Sequence, residues 1–331
     1  MRGITRRGLV GAAGAATVVA PSLAPSPAWA QTAYPSRTIS LISPAAPGSQ
    51  TDIFSRTLAA PLAQRLGRPV VVENKPGAGG IVGTLATVRA APDGHTILYA
   101  SNSGFLISPH LRRPAPYNTP RDLVPIAITL SGPSVIVVNQ NVAARTIGDF
   151  VTELRANPGK YNLGSHGVGA FSHVAMEMFM AQTRTEMVHL PYNGGGPLGA
   201  AFLSGDVHVA LLDVLTARPL IASGRGRVLA TVGERRSPIF PDAPLVSETV
   251  APGLAMDFWL GLLAPAGTSA EIVERLHNEI NAITLGAEGR ARAAEVSMLT
   301  DPLPLPALRA KVEREWEEWG RVIHDRNILG T

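Results

Sequence analysis

Ten short apolar runs punctuate the chain, at 38–42, 70–73, 96–100, 126–129, 135–139, 161–164, 186–189, 207–212, 228–232 and 258–263. Several are rich in Val, Ile and Leu, the pattern of strands covered on both faces. Between them lie helical stretches at 52–66, 81–90, 147–156, 171–182, 198–203 and 214–222. Strand, helix and strand in succession predict parallel sheets joined by right-handed crossovers. Two long helices follow. The first starts at a Thr268 or Ser269 cap with Glu271 in its first turn, and Ile272, Val273, Leu276, Ile280 and Ile283 form its apolar stripe. The second covers 305–324, with Leu308, Val312, Trp316, Trp319 and Ile323 on one face. Both tryptophans read as core packing.

One set of strand–helix units precedes residue 130 and a second follows it. The two closing helices need a sheet to cover, which returns the chain to the first set. The expected lobes are residues 31–130 plus 254–331, and residues 131–253, with crossings near 126–130 and 251–258.

Composition narrows the function. Of 331 residues, 45% are apolar and 16% charged, a globular balance. The absence of cysteine excludes disulfides, thiolate zinc sites, cysteine nucleophiles, iron–sulfur clusters and a lipid-modified N-terminal cysteine. The formal net charge is +4, but Arg2, Arg6 and Arg7 stand in a leader-like segment without acids. The remainder is close to neutral and does not suit a nucleic acid.

That segment reads as an export signal. A basic head precedes a small, apolar stretch at 9–20, and Ala28-Trp29-Ala30 is a small-x-small site, so cleavage is expected after Ala30. Arg6-Arg7 after Thr5, with Leu9 close behind, points to the twin-arginine route; an ordinary Sec leader is the alternative. No later apolar run approaches the roughly 20 residues of a membrane-spanning helix. The expected location is the periplasm.

In open parallel sheets, ligands bind beyond the carboxyl ends of the strands. The first strand is followed by Pro44-Ala45-Ala46-Pro47-Gly48-Ser49-Gln50-Thr51-Asp52. Gly48 permits unusual backbone angles, and Ser49, Thr51 and Asp52 are cap residues. The loop is either a nest of N–H donors for a carboxylate or a structural cap. The third strand leads to Ser101-Asn102-Ser103-Gly104. In the second half, Ser165-His166-Gly167-Val168-Gly169-Ala170-Phe171-Ser172-His173 opens a helix, Pro191-Tyr192-Asn193-Gly194 follows another strand, and Asp213 ends a third. Five polar strand ends, two from one half and three from the other, predict a cleft between lobes.

Enzyme and cofactor signatures fall short. Leu163-Gly164-Ser165-His166-Gly167 lacks the first glycine of a nucleophile elbow. No acid within the stretch from His166 to His173 completes a metal set with them, and they read as helix-capping or cleft-lining histidines. Gly77-Ala78-Gly79-Gly80-Ile81-Val82-Gly83 imitates a dinucleotide fingerprint, but Val82 stands where the third glycine belongs, and the next strand ends without an acid. No catalytic residue, metal or cofactor is expected.

Several phrases in order carry a resemblance: Tyr34-Pro35-Ser36-Arg37, Ala46-Pro47-Gly48 with Thr51-Asp52, the run from Val70 to Gly80, Ala91-Pro92-Asp93-Gly94, Pro191-Tyr192, and Leu262-Leu263-Ala264-Pro265-Ala266-Gly267-Thr268. Together they resemble the Bug (TctC-like) extracytoplasmic solute receptors of tripartite tricarboxylate transporters, over essentially the whole chain after the leader. The resemblance implies an α/β two-domain periplasmic binding protein of the Venus-flytrap kind, type II-like, each lobe a mostly parallel sheet flanked by helices. It implies a small carboxylate held by main-chain amides, hydroxyls and water, delivery to the membrane subunits of such a transporter, and a monomer. Carried over by position, the contacts are Ala46, Gly48, Ser49, Gln50, Thr51 and Asp52, then Asn102 and Ser103, then Ser165, Val168, Gly169, Ala170, His173, Tyr192 and Asp213. The family often has an aromatic residue where Ala45 stands, and glycines at Ser49 and Gln50, so no particular ligand transfers. Asp213 repels a second carboxylate and welcomes an amine or hydroxyl. Two other readings stay open: an exported cofactor-binding oxidoreductase, and a ligand-sensing module for a membrane sensor kinase.

Overall fold

The computed structural model describes residues 34–328. The leader, its arginine pair and the position after Ala30 lie outside the described residues. The strands are β1 (Ile39–Ser43), β2 (Val70–Asn74), β3 (Thr96–Ser101), β4 (Leu123–Gly132), β5 (Ser134–Asn139), β6 (Asn162–Ser165), β7 (Val188–Pro191), β8 (Val209–Asp213), β9 (Gly226–Val232) and β10 (Phe258–Pro265). The helices are α1 (Gln50–Leu66), α2 (Ile81–Val88), α3 (Thr119–Asp122), α4 (Ile147–Ala156), α5 (Phe171–Thr183), α6 (Gly195–Ser204), α7 (Val214–Ala222), α8 (Ala270–Thr284), α9 (Ala287–Glu295) and α10 (Leu305–Asp325).

Each apolar run forms a strand, and local signals set the helix ends. The Ser49 hydroxyl accepts from Asp52 N to start α1, and Gly67, left-handed at φ 69°, ends it. Ser269, the second of the two expected caps, accepts from Ile272 N at the start of α8. Helix α9 is absent from the sequence reading. Its residues, AEGRARAAE, bury Ala293 alone, so no apolar period betrays it.

The first sheet has the order β2-β1-β3-β10-β4 and the second β7-β6-β8-β5-β9. In the first, β1 pairs parallel with β2 and β3, while β10 is antiparallel to β3 and β4. The second repeats this around β5, which is antiparallel to β8 and β9. Each sheet is therefore mostly parallel, with one reversed strand. The parallel pairing that strand–helix alternation predicts holds among β1, β2 and β3 and among β6, β7 and β8; β5 and β10 run reversed, because the chain enters each of them from the other sheet. Residues 126–130 lie inside β4; the chain leaves the first sheet at Gly132-Pro133-Ser134 and returns through residues 233–257.

Alternation along β5 shows how the second sheet is covered. Val135 and Val137 face a cluster with Leu198, Phe202 and Leu220 of α6 and α7. Ile136 and Val138 face the other way, into the largest cluster, with Phe150 and Phe179. The outer face of the first sheet packs Ile39, Leu41 and Ile97 against Leu58 and Leu62 of α1 and Leu276 of α8. Each such side chain contributes roughly 1.5–3 kcal/mol when fully buried. Of the two α10 tryptophans, Trp319 is buried in the core, whereas Trp316 is partly exposed and lies against the His110 ring.

A polar network braces the return crossing. Asn102 donates to the Asp257 carbonyl at 3.0 Å, and the Asp257 carboxylate accepts from Glu234 N at 3.2 Å. Burial, reinforced by Glu234, pushes Asp257 up to about 6. Lys311 of α10 bridges Glu234 at 2.7 Å and Glu315 at 2.8 Å, and Trp259 Nε1 donates to Glu315 at 3.0 Å.

Candidate functional site

Two joined cavities, of about 250 Å³ and about 320 Å³, share Ser103, His166 and Ala170 in their walls. The smaller one collects strand ends from both sheets: Gln50 at the start of α1, Ser103 beyond β3, Asp213 at the end of β8, and Ser134 at the crossing. Its apolar wall includes Phe171, Leu211, Leu215, Phe258 and Met298. The larger one is lined by Gly79 and Ile81, by Leu111 and Arg112, and by the segment from Gly167 to Ala170.

Of the residues carried over by position, Gln50, Ser103, Val168, Gly169, Ala170 and Asp213 line these cavities. Ala46, Gly48, Ser49, Thr51 and Tyr192 do not. The loop after β7 also stays outside, since Tyr192 N pairs with Ser165 O and its ring packs beside α6 and α7. Four of the five strand-end loops thus converge.

Several expected contacts have side chains engaged in the scaffold. Asp52 is buried and accepts from Gly48 N at 2.8 Å, Asn74 Nδ2 at 2.8 Å and Arg56 Nε at 3.0 Å. Arg56, then Gly48 N–H, hold its carboxyl down at about 2 against the cost of burial. Asn102 is fully buried and ties β3 to β10. Ser165 is fully buried; its hydroxyl accepts from Gly167 N and bonds His189 Nε2 at 2.7 Å. His173 lies beneath the loop, its Nδ1 accepting from Gly169 N at 3.1 Å and its ring stacked 3.6 Å from that of His189. Gly169 itself needs to be glycine: φ is +73°, and a Cβ there would stand 2.1 Å from Leu111 Cδ1.

The sequence reading does not single out Phe171, Ser172, Leu215, Phe258 or Met298 for the wall. They come from the first residues of α5, α7 and β10 and from the turn after α9. His166 occupies the junction of both cavities, with Nδ1 3.1 Å from Ser172 Oγ. Burial lowers its pKa from the ordinary imidazole value, and Asp213 opposes that shift. Asp213 caps α7, accepting from Thr216 N at 2.9 Å and Thr216 Oγ1 at 2.7 Å. By contrast, α5 begins at Ala170 without a side-chain cap, and its first residues line the smaller cavity. An uncapped helix start offers N–H donors and the positive end of the helix dipole to an anion.

Two mixed sheets, linked by paired crossings and enclosing a cleft at their strand ends, define a two-lobed periplasmic binding-protein fold. The family model for the tripartite tricarboxylate transporter family receptor, TctC, matches residues 54–288. Protein BugT of Bordetella pertussis (strain Tohama I) is 32% identical over 294 residues, 88% of this chain and 90% of its own. The solved structure of the periplasmic binding protein BugD is 28% identical, with a TM-score of 0.69, over 90% of this chain and 100% of its own. MatC from Rhodopseudomonas palustris, with bound malate, is 26% identical, with a TM-score of 0.70, over 88% and 100%. The chain belongs to the tripartite tricarboxylate transporter receptor family. It is a solute-binding receptor and not an enzyme, which sets aside the oxidoreductase reading.

Proposed function

We propose that this receptor captures a small carboxylate in the periplasm and delivers it to the membrane subunits of a tripartite tricarboxylate-type transporter. The observation that carries this reading is the meeting of strand ends from both sheets around the uncapped start of α5, with hydroxyls of Ser103 and Ser172 beside it. Hydrogen bonds to a charged group contribute roughly 1.5–3 kcal/mol each, so a few such donors suffice to hold a carboxylate. The malate-bound relative supports the chemistry. We assign Gln50, Ser103, Val168, Gly169, Ala170 and Asp213 as ligand contacts, and add His166 and Ser172. The lobes are those of residues 31–130 plus 254–331 and of residues 131–253, the protein acts as a monomer, and it is exported with cleavage after Ala30.

A ligand that touches both lobes only in the closed state shifts the population toward closure. Titration calorimetry of the exported protein against organic acids is expected to find a saturable ligand, and small-angle scattering to show compaction with it. A protein that binds none of them, stripped of endogenous ligand beforehand, defeats the proposal.

A further inference from the structure

We infer that the smaller cavity selects a monocarboxylate with an apolar body, bearing an amine or hydroxyl toward Asp213, over a dicarboxylate. This deepens the receptor reading and rests on it. Phe171 and Phe258 meet edge to face, 5.9 Å between ring centroids, and both line the cavity. Leu215 adds to the wall although 48% of its surface is exposed, an apolar area that a ligand would cover.

Met298 completes the wall from a segment that follows α9, beyond residue 288, where the family match ends. The segment is fixed in place. Ser297 adopts φ +55°, unusual for a residue other than glycine, and Leu299 and Ser131 exchange backbone hydrogen bonds of 2.9 Å and 2.7 Å. Met298 thus joins Phe171, Leu215 and Phe258 in one hydrophobic surface of the cleft.

Charge points the same way. Among the described residues, no Lys or Arg lines the smaller cavity, whereas Asp213 does. The Asp213 carboxylate keeps acceptor capacity beyond its two bonds to Thr216, which suits a donor on the ligand. A second carboxylate there meets like charge with no cation in that cavity to neutralise it. The single carboxylate fits the uncapped α5 start, leaving the hydrocarbon to the wall.

Calorimetry with butanoate through octanoate, the matched dicarboxylates succinate through suberate, and phenylacetate with 4-hydroxyphenylacetate tests this. Affinity is expected to rise about fourfold per added methylene until the cavity fills. Each dicarboxylate is expected to bind at least about tenfold more weakly than its monocarboxylate match, and the ring hydroxyl to improve binding. Met298→Ser and Leu215→Ser should flatten the rise with chain length while leaving the melting temperature nearly unchanged. Asp213→Asn, which keeps the cap, should bring the two series together. Affinity independent of length, or dicarboxylates binding as tightly as their matches, overturns the inference alone. No heat from any acid overturns the carboxylate reading and this inference with it.

Discussion

Asp52 shows how far a single side chain can differ from its place in a motif. Its position in the first loop invites a ligand role, yet its oxygens gather Gly48, Asn74 and Arg56 around the start of α1. Removing an acceptor from buried donors costs about 1–3 kcal/mol, so Asp52→Ala is expected to destabilise the protein by about 2 kcal/mol. The folded pKa, about 2, lies below the ordinary value, so this stabilisation is full above that ordinary value and fades as pH falls toward 2. Urea unfolding of both proteins should show a gap at pH 7 that narrows below about pH 4 and closes only near pH 2. The local sequence announces a cap and a tight loop here. It does not announce Asn74, twenty-two residues away, and that partner turns the carboxylate from the ligand to the scaffold. Asn102 and Ser165 were legible as strand-end polar residues, and are engaged by partners 155 and 24 positions away in sequence.

At the scale of elements, the loop over α5 rests on two stacked imidazoles. Gly169 N–H donates to His173 Nδ1, so that nitrogen must be unprotonated, and His189 Nε2 meets the Ser165 hydroxyl. Around the pair stand Glu177 of α5, 3.6 Å from His173 Nε2, and Arg326, 2.7 Å from Glu177. Burial, aided by His173, pushes His189 down to about 4. A folded histidine pKa below the unfolded one means that the unfolded chain takes up the proton first. Stability should therefore fall as pH drops from about 6.5 to about 4. His189→Gln, which can still reach Ser165, is expected to make that decline shallower in pH-dependent denaturation; an unchanged slope would assign it to other groups. Strands and long helices were legible throughout because apolar spacing marks them. Helix α9 and the turn bearing Met298 were not: their placement comes from the Ser131–Leu299 pairing and one left-handed serine, which leave no periodic trace.

For the whole molecule, α10 is the clasp. It packs Leu308, Val312 and Trp319 into the largest cluster, places Lys311 between Glu234 and Glu315, and leads to Arg326, which pairs with Glu177 of α5. Lys311 and Glu315 are both buried, so Lys311→Met strands Glu315 without its cation and should cost about 3–5 kcal/mol. Chemical denaturation should register that loss and a substantial recovery in Lys311→Met/Glu315→Gln; no recovery would mean that packing, and not charge, sets the cost. The division into two strand–helix sets was legible, but the reversed strands were not, since direction depends on which sheet the chain arrives from. That reversal has a consequence for the growing chain. Strands β3 and β4 do not pair with each other, because β10 separates them. Any fragment ending before residue 258 therefore carries two raw borders in the middle of its first sheet, each an open template for a neighbouring copy. Truncated products should cluster instead of remaining dispersed, and the native shape waits until nearly four-fifths of the polypeptide is available.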